Sequence, residues 1–336
     1  MRVRQPRFAR TIAAALLLIA LTLLVGCESS DPQNTLAPKG DVGQDIKDLF
    51  VPIAWIAIVI FVLVFGAIIY MVIRFRRKDG PLPKQTHGNT RLEIAWTIAP
   101  TLLMAAIAVP TLATLFDLSD TPDGALEVKV TASQWWWAFE YPSEGVLTAN
   151  EMHIPVGRPV KVILQSNDVI HSFWVPKLAG KTDVVPNSTN TMWFNATEPG
   201  EYLGQCVEFC GLSHAIMRFR VIAEPEDQFR AWVASQKQPA SPPAGALAQS
   251  GATKFANTCA VCHTVTGADA KGKVGPNLTH FASRDCFAGC TLRRTGPNIE
   301  RWLRDPAAVK PGSFMPNYHL KPDEIEALVA YLESLK

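Results

Sequence analysis

The chain has 336 residues, which is long for one folded unit and predicts two or three. Its 32 lysines and arginines nearly balance its 30 aspartates and glutamates, and the first 26 residues contain four arginines and no acid. The sequence shows no basic patch of the kind that nucleic-acid-binding proteins carry, so we expect no nucleic-acid partner.

The first 26 residues have the layout of a secretory signal peptide. An arginine-rich start precedes an apolar run at 11–24, and small residues then lead to Cys27. This ending resembles a bacterial lipoprotein box, which predicts that Cys27 is lipidated and becomes the first mature residue. The alternatives are an ordinary signal peptide with an unrelated cysteine, or an uncleaved helix.

A transmembrane hairpin is predicted over residues 49–118, after a polar extracytoplasmic segment at 27–48. Its spans, at about 51–74 and 94–116, each cover the roughly 20 apolar residues that a bilayer core requires. The alternative is that both are buried core helices. The length of the runs and their lack of charge disfavour that alternative. The loop between the spans is rich in lysine and arginine, so the positive-inside rule places it in the cytoplasm. Pro100 and Pro110 in the second span suggest packing against another membrane subunit.

The outer half of the chain divides into two domains. Residues 125–225 alternate apolar and polar side chains between turn residues, a pattern typical of a β-sandwich or β-barrel. Residues 236–250 are rich in proline, alanine, serine and glutamine and predict a linker. Residues 251–336 form the last domain, and the apolar spacing near its end predicts an amphipathic helix.

Copper-binding side chains cluster in the β-rich domain. Two thiols, an imidazole and a thioether fall within one short segment, and a second imidazole lies upstream: Cys206, Cys210, His214, Met217 and His171. Soft sulfur with imidazole suits an electron-transfer copper site, and two thiolates can bridge two copper ions. A structural disulfide would leave the histidine and methionine unexplained, and a zinc site has no need of methionine.

A haem-attachment motif stands in the last domain. Cys259-Ala-Val-Cys262-His263 is the c-type signature, in which both thiols join the haem and the histidine becomes an axial ligand. A chance match or a redox dithiol is the alternative. Gly275-Pro-Asn-Leu and Met315-Pro follow, and the whole stretch resembles a small all-α class I cytochrome c. That resemblance implies Met315 as the sixth ligand.

The pattern Cys206-x-Glu-x-Cys-Gly-x-x-His-x-x-Met217, the upstream His171-Ser-Phe and the run Gln134-Trp-Trp-Trp-Ala-Phe-Glu-Tyr141 resemble subunit II of haem–copper cytochrome c oxidases. The resemblance implies a cupredoxin-like Greek-key β-barrel with a dinuclear CuA centre. The implied ligands are His171, Cys206, the Glu208 carbonyl, Cys210, His214 and Met217. It also implies a magnesium ion near Asp183 and the Glu208 side chain. Asn187-Ser188 departs from the Gly-Arg often found there.

Two further roles follow from the same resemblance. Trp135 would accept electrons near CuA, with cross-strand packing as the alternative. Glu93 would stand at the cytoplasmic mouth of a proton pathway. The alternative is that its carboxylate only interacts favourably with the helix dipole at the start of the helix. Cys286 and Cys290 fit no part of the family pattern. A disulfide is predicted for them, against free thiols or a further metal site.

A cytochrome c fused behind a CuA domain resembles the caa-type bacterial oxidases. Electrons would pass from a cytochrome c or another respiratory donor to haem c, then to CuA, then to subunit I, where oxygen is reduced with proton pumping. Subunits I and III would be partners in the bacterial inner membrane, with both metal domains on the periplasmic side. Three other functions are the alternatives. A quinol oxidase subunit would lack the copper ligands, and nitrous oxide reductase would need a propeller domain for which no residues remain. A free-standing electron-carrier lipoprotein would need no membrane partner, whereas the prolines of the second span suggest one.

Overall fold

The computed structural model describes residues 31–76, 85 and 87–336. Two long helices lie near the start of the described chain. Helix α1 spans Asp41–Arg74 and helix α2 spans Thr90–Ser119, and both are long and apolar enough to cross a membrane. The apolar windows are unburied within this chain, as expected for surfaces that face lipid or another subunit. The predicted signal peptide and Cys27 lie outside the described residues.

Helix α1 begins ahead of the predicted span and rests on the β domain. The Gly43 amide donates to the Leu178 carbonyl at 2.9 Å, and the Asp41 amide donates to the Asn195 side chain at 2.9 Å. A Cβ on Gly40 would lie 2.3 Å from the Asn195 carbonyl, so only glycine permits this approach. The end of the polar segment predicted at 27–48 is therefore helical, because its backbone packs directly against the β domain.

The next domain contains two five-stranded sheets. In the first, the order is β3-β2-β1-β5-β8, and in the second it is β4-β10-β9-β6-β7. The strands are β1 Leu126–Ser133, β2 Trp136–Tyr141, β3 Val146–Ala149, β4 Glu151–Pro155, β5 Val160–Ser166, β6 His171–Trp174, β7 Thr182–Val184, β8 Asn190–Phe194, β9 Gly200–Cys206 and β10 Arg218–Glu224. Strand β1 pairs in parallel with β5 and antiparallel with β2, so the connections cross over, as in a Greek-key cupredoxin-like fold.

An aromatic core joins the two sheets. Trp137 of β2 packs edge-to-face on Phe173 of β6 and on Phe219 of β10, with ring centroids 5.6 and 5.3 Å apart. Near the other end, the Tyr141 hydroxyl donates to the His153 carbonyl and accepts from the His153 amide, both at 2.8 Å. These contacts link strands of different sheets and give the loops above them a rigid base.

The C-terminal part is mainly helical. Its elements are α3 Glu226–Gln236, α4 Ala246–Thr258, β11 Thr264–Val265, β12 Ala270–Lys271, β13 Cys286–Phe287, β14 Leu292–Arg293, α5 Gly296–Arg304, α6 Pro306–Val309 and α7 Pro322–Ser334. Helices α4 and α7 cross closely, because a Cβ on Gly251 would lie 1.9 Å from the Ala327 carbonyl. The predicted linker at 236–250 is shorter than expected: α4 already begins at Ala246, since Ala-Leu-Ala-Gln favours a helix.

Candidate metal centre and haem site

The predicted copper ligands lie together at one end of the β domain. Strand β9 ends at Cys206, and the chain loops out before β10 returns antiparallel to it. The Cys206 amide donates to the Met217 carbonyl at 2.9 Å and closes this loop. His171, the first residue of the neighbouring strand β6, is fully buried beneath it.

The donor atoms form a compact cluster. The Cys206 and Cys210 sulfurs are 3.7 Å apart, and the Cys206 sulfur is 4.0 Å from His171 Nδ1. Around Cys210, His214 Nδ1 lies at 3.6 Å and Met217 Sδ at 3.8 Å. Sulfurs that share a metal with bonds of about 2.3 Å stand at such separations. Two thiolates, two imidazoles and a thioether therefore fit a pair of copper ions.

The protonation of these groups is set by their mutual contacts. The hydrogen bond from Cys210 lowers the pKa of the Cys206 thiol far below its usual range, while the same pairing raises that of Cys210. Burial lowers the pKa of His171, but hydrogen bonds to Asp168 and Cys206 outweigh it and raise the value. His171 Nε2 lies 2.7 Å from Asp168 Oδ1, which fixes the ring so that Nδ1 faces the sulfurs.

Trp135 lies directly against residues 206–217, the segment that carries most of the predicted copper ligands and is called the copper loop below. Its indole Nε1 donates to the Cys210 carbonyl at 2.9 Å, and the adjacent Gln134 side chain donates to the same oxygen at 2.7 Å. Trp135 is only 6% exposed, although it stands at the edge of the β domain, because the C-terminal domain covers it. Its ring stacks on Phe314 with centroids 6.3 Å apart and planes 6° from parallel.

The remaining family-derived residues are more widely scattered. The Glu208 carbonyl lies 3.2 Å from the Cys206 sulfur, within the copper cluster. Asp183 pairs with Lys181 at 3.4 Å, and neither it nor Glu208 belongs to a cluster of metal-binding side chains among the described residues. Glu93 lies in the first turn of α2, where its carboxylate accepts the Asn89 amide at 3.1 Å as a helix cap.

The haem-attachment motif follows directly after helix α4. Cys259 is the C-cap of the helix, Cys262 lies one turn on, and His263 lines a cavity in this domain. His263 Nδ1 lies 2.9 Å from the Pro276 carbonyl, which leaves Nε2 available as a ligand. Burial lowers the pKa of His263 and so favours the neutral, ligating form. A Cβ on Gly275 would lie 2.5 Å from the imidazole, so glycine is required there.

A cavity of about 420 Å³ opens between this motif and Met315. Its lining is mostly apolar and includes Cys259, Cys262, His263 and Met315. Arg284 also lines it, is buried, and has an Nε without a hydrogen-bond partner among the described residues. Burial lowers the pKa of Arg284 to about 10, so the side chain remains cationic at neutral pH. An apolar slot lined by paired thiols, a histidine and a methionine, with a buried cation that has one unpaired N–H, fits haem c with its propionates.

Cys286 and Cys290 form a disulfide within the β13–β14 hairpin. They lie near Glu151, but disulfide-bonded sulfurs supply no thiolates, so this group is not a metal site. Lys310 and Glu151 were not predicted from the sequence, although both are buried charged residues in the contact between the two outer domains. A lone lysine in a loop and a glutamate in a strand carry no motif that could have identified them.

Three family models match the chain. The transmembrane domain of cytochrome c oxidase subunit II matches residues 39–114, the periplasmic domain of the same subunit matches 144–224, and cytochrome c matches 248–336. These matches agree with the two helices, the β domain and the helical domain described above.

Relatives match over nearly the whole length. Cytochrome c oxidase subunit 2 of Alkalihalophilus pseudofirmus is 40% identical over 338 residues, covering 97% of this chain and 98% of its own. That of Bacillus subtilis is 34% identical, covering 96% and 97%. The periplasmic domain of subunit II of cytochrome oxidase from Bradyrhizobium japonicum is similar over 35% of this chain and 97% of its own, at 31% identity and a TM-score of 0.34. The chain thus belongs to the cytochrome c oxidase subunit II family, as a membrane subunit of a haem–copper oxidase with a fused cytochrome c domain.

Proposed function

We propose that this subunit receives electrons at its cytochrome c domain and delivers them through the copper centre to subunit I, where oxygen is reduced to water with proton pumping. Haem c and dinuclear CuA, when bound, each supply a one-electron carrier. Cys259, Cys262, His263 and Met315 would hold the haem. His171, Cys206, Cys210, His214, Met217 and the Glu208 carbonyl would hold the copper.

The observation that carries the proposal is the position of Trp135 between the two sites. One edge of its indole is hydrogen-bonded to the Cys210 carbonyl, and its ring face lies on Phe314, which precedes Met315 in the chain. A single aromatic side chain therefore contacts a copper-ligand residue and the neighbour of a haem-ligand residue. Such a contact path favours transfer within the chain over transfer from a separate donor at Trp135.

Further parts of the proposal rest on the family. A cytochrome c or another respiratory carrier would reduce the haem domain, and subunit III would complete the complex. The outer domains would face the periplasm from the inner membrane, which agrees with the basic loop between the spans. Glu93 would open a proton pathway, Asp183 and Glu208 would adjoin magnesium, and Cys27 would carry a lipid after removal of residues 1–26.

Purification of the intact oxidase from membranes tests the proposal. We expect two coppers and one haem c in each copy of this chain, and oxygen uptake driven by reduced cytochrome c. Rapid photoreduction of the haem should be followed by reduction of copper. Cys206→Ser should abolish the copper absorption and this second step while the haem absorption remains. An intact complex without copper, or haem that never reduces copper, would overturn the proposal.

A further inference from the structure

The disulfide hairpin, residues 285–293, contains two cysteines that the family resemblance leaves unexplained. Strands β13 and β14 pair antiparallel and are joined by a very tight tip. Ala288, Gly289 and Cys290 have φ values of 53°, 67° and 49°, three consecutive residues in the left-handed region. Non-glycine residues adopt that conformation only where the surroundings hold it, so the tip is structurally constrained.

The base of the hairpin is held by Glu151, which belongs to strand β4 of the copper domain. One carboxylate oxygen accepts the amides of Asp285 and Cys286, each at 2.8 Å. Glu151 is only 2% exposed. A buried carboxylate that accepts two amides from the other domain is a strong and directional contact.

The tip is held by the first residue of strand β10. The Arg218 amide donates to the Gly289 carbonyl at 3.0 Å, next to the copper ligand Met217. A Cβ on Gly289 would lie 2.3 Å from Lys310 Nζ and 2.7 Å from the Trp135 carbonyl. Glycine is therefore required both by the backbone conformation and by the close approach of the domains.

Lys310 joins the two domains at the same place. Its ammonium donates to the carbonyls of Trp135 at 2.5 Å, Ala288 at 2.8 Å and Ile216 at 3.3 Å. These acceptors come from the turn between β1 and β2, the hairpin tip and the copper loop, respectively. Three acceptors use all three N–H groups of the ammonium form, although burial lowers the pKa of Lys310 to about 7.

The segment that follows Lys310 leads to the haem ligand. The Ser213 hydroxyl in the copper loop donates to the Pro311 carbonyl at 2.7 Å. Gly312 lies so close to the Trp135 ring that a Cβ would approach it to 2.6 Å. Phe314 stacks on the same ring, and Met315 comes next. The contacts around the hairpin therefore set where Met315 lies relative to Trp135.

We infer that the disulfide hairpin, with Glu151 at its base and Lys310 at its tip, is an intramolecular docking latch that holds the cytochrome c domain over Trp135. The inference rests on the proposed function, since the latch would keep the two metal domains in position for transfer. Glu151 and Lys310 are positioning residues in this scheme, because they contact backbone groups and neither cofactor.

Hydrogen exchange of the purified oxidase tests whether the two ends act as one unit. Glu151→Gln removes the charge at the base, and we expect the Arg218 amide at the tip to exchange roughly ten- to hundredfold faster. Lys310→Met, at the tip, should speed exchange of the Asp285 and Cys286 amides at the base to a similar extent. The double variant Cys286→Ser/Cys290→Ser should accelerate both ends, because the hairpin is then less constrained.

Matched controls remove exposed charges that lie outside the latch. Glu201→Gln and Lys161→Met break surface ion pairs, with Arg220 and Glu127, and should leave exchange at both ends unchanged. Acceleration confined to the mutated end would overturn the latch. All variants are compared at wild-type copper and haem content, which excludes general misfolding.

Photoreduction separates this inference from the proposed function. If the wild type passes electrons from haem to copper, latch variants should slow that step or make it biphasic, with an undocked fraction that waits for redocking. Unchanged, single-phase transfer in variants with accelerated exchange would show that docking is not required and would overturn the inference alone. Absence of the step in the wild type would overturn the proposed function, whatever the exchange results show.

Discussion

The indole nitrogen of Trp135 donates a hydrogen bond to the Cys210 carbonyl at 2.9 Å. Because Cys210 supplies one of the two clustered sulfurs, this bond attaches an aromatic ring to the copper loop itself. The same ring is covered by Phe314 and Gly312 of the cytochrome c domain. The ring is therefore covered from within the chain, and in the proposed function the fused domain would take the place of a docking partner.

Substitution of this ring should slow electron transfer without changing either metal site. We expect Trp135→Phe to slow haem-to-copper transfer roughly ten- to hundredfold, because both the hydrogen bond and the stacked surface are altered. Trp193→Phe is the matched control, since it also loses an indole bond to a carbonyl, that of Leu118 at 3.1 Å. Photoreduction kinetics check the prediction, and equal rates in the two variants would contradict it.

Loss of the carboxylate behind His171 should weaken copper binding. Asp168 holds the imidazole at 2.7 Å, and partners of this kind usually contribute ten- to hundredfold in metal affinity. We therefore expect Asp168→Asn to lower copper affinity by about that factor, measured by competition with a chelator. The exposed Asp123→Asn should bind copper as the wild type does, and an Asp168→Asn variant with unchanged affinity would show that packing alone orients the ring.

The sequence predicted the side-chain clusters whose members are close together in the chain. Cys206 and Met217 bracket a single loop, and Cys259 and His263 form one turn, so residue type and spacing predicted that these side chains would lie together. Lys310 and Trp135 are 175 residues apart, and Glu151 and Cys286 are 135 apart. Such pairs form only when the two domains dock, and a local sequence pattern does not predict contacts between domains.

Boundaries were less predictable than the elements themselves. Helix α1 extends back to Asp41 because a glycine-lined approach lets its first turn rest on the β domain, a tertiary effect that hydropathy does not detect. The burial of Trp135 has a similar cause. The sequence around Trp135 does not indicate this burial, because the covering surface comes from a different domain.

Removal of the buried cation at the haem cavity should lower the haem potential. A positive charge beside haem destabilises the oxidised, more positive state relative to the reduced state. Arg284→Gln should therefore lower the midpoint reduction potential of the haem by on the order of tens of millivolts. A shift of about 59 mV corresponds to a tenfold change in the equilibrium constant for one electron. Arg284→Lys, which keeps the charge, should retain most of the potential. The exposed Arg301→Gln serves as the control in the potentiometric titration, and a potential unaffected by Arg284→Gln would place the propionates elsewhere.

The Tyr141 hydroxyl should contribute measurably to the stability of the β domain. It satisfies both backbone groups of His153 at 2.8 Å, and burial raises the pKa of Tyr141, so the hydroxyl keeps the proton that it donates. Tyr141→Phe leaves a partly buried amide and a partly buried carbonyl unpaired, and we expect a loss of about 1–3 kcal/mol. Tyr202→Phe removes a single hydroxyl bond, to the Glu198 carbonyl, and should cost less. The denaturant midpoint for loss of copper absorption measures both, and equal midpoints would mean that water or a shifted strand satisfies His153.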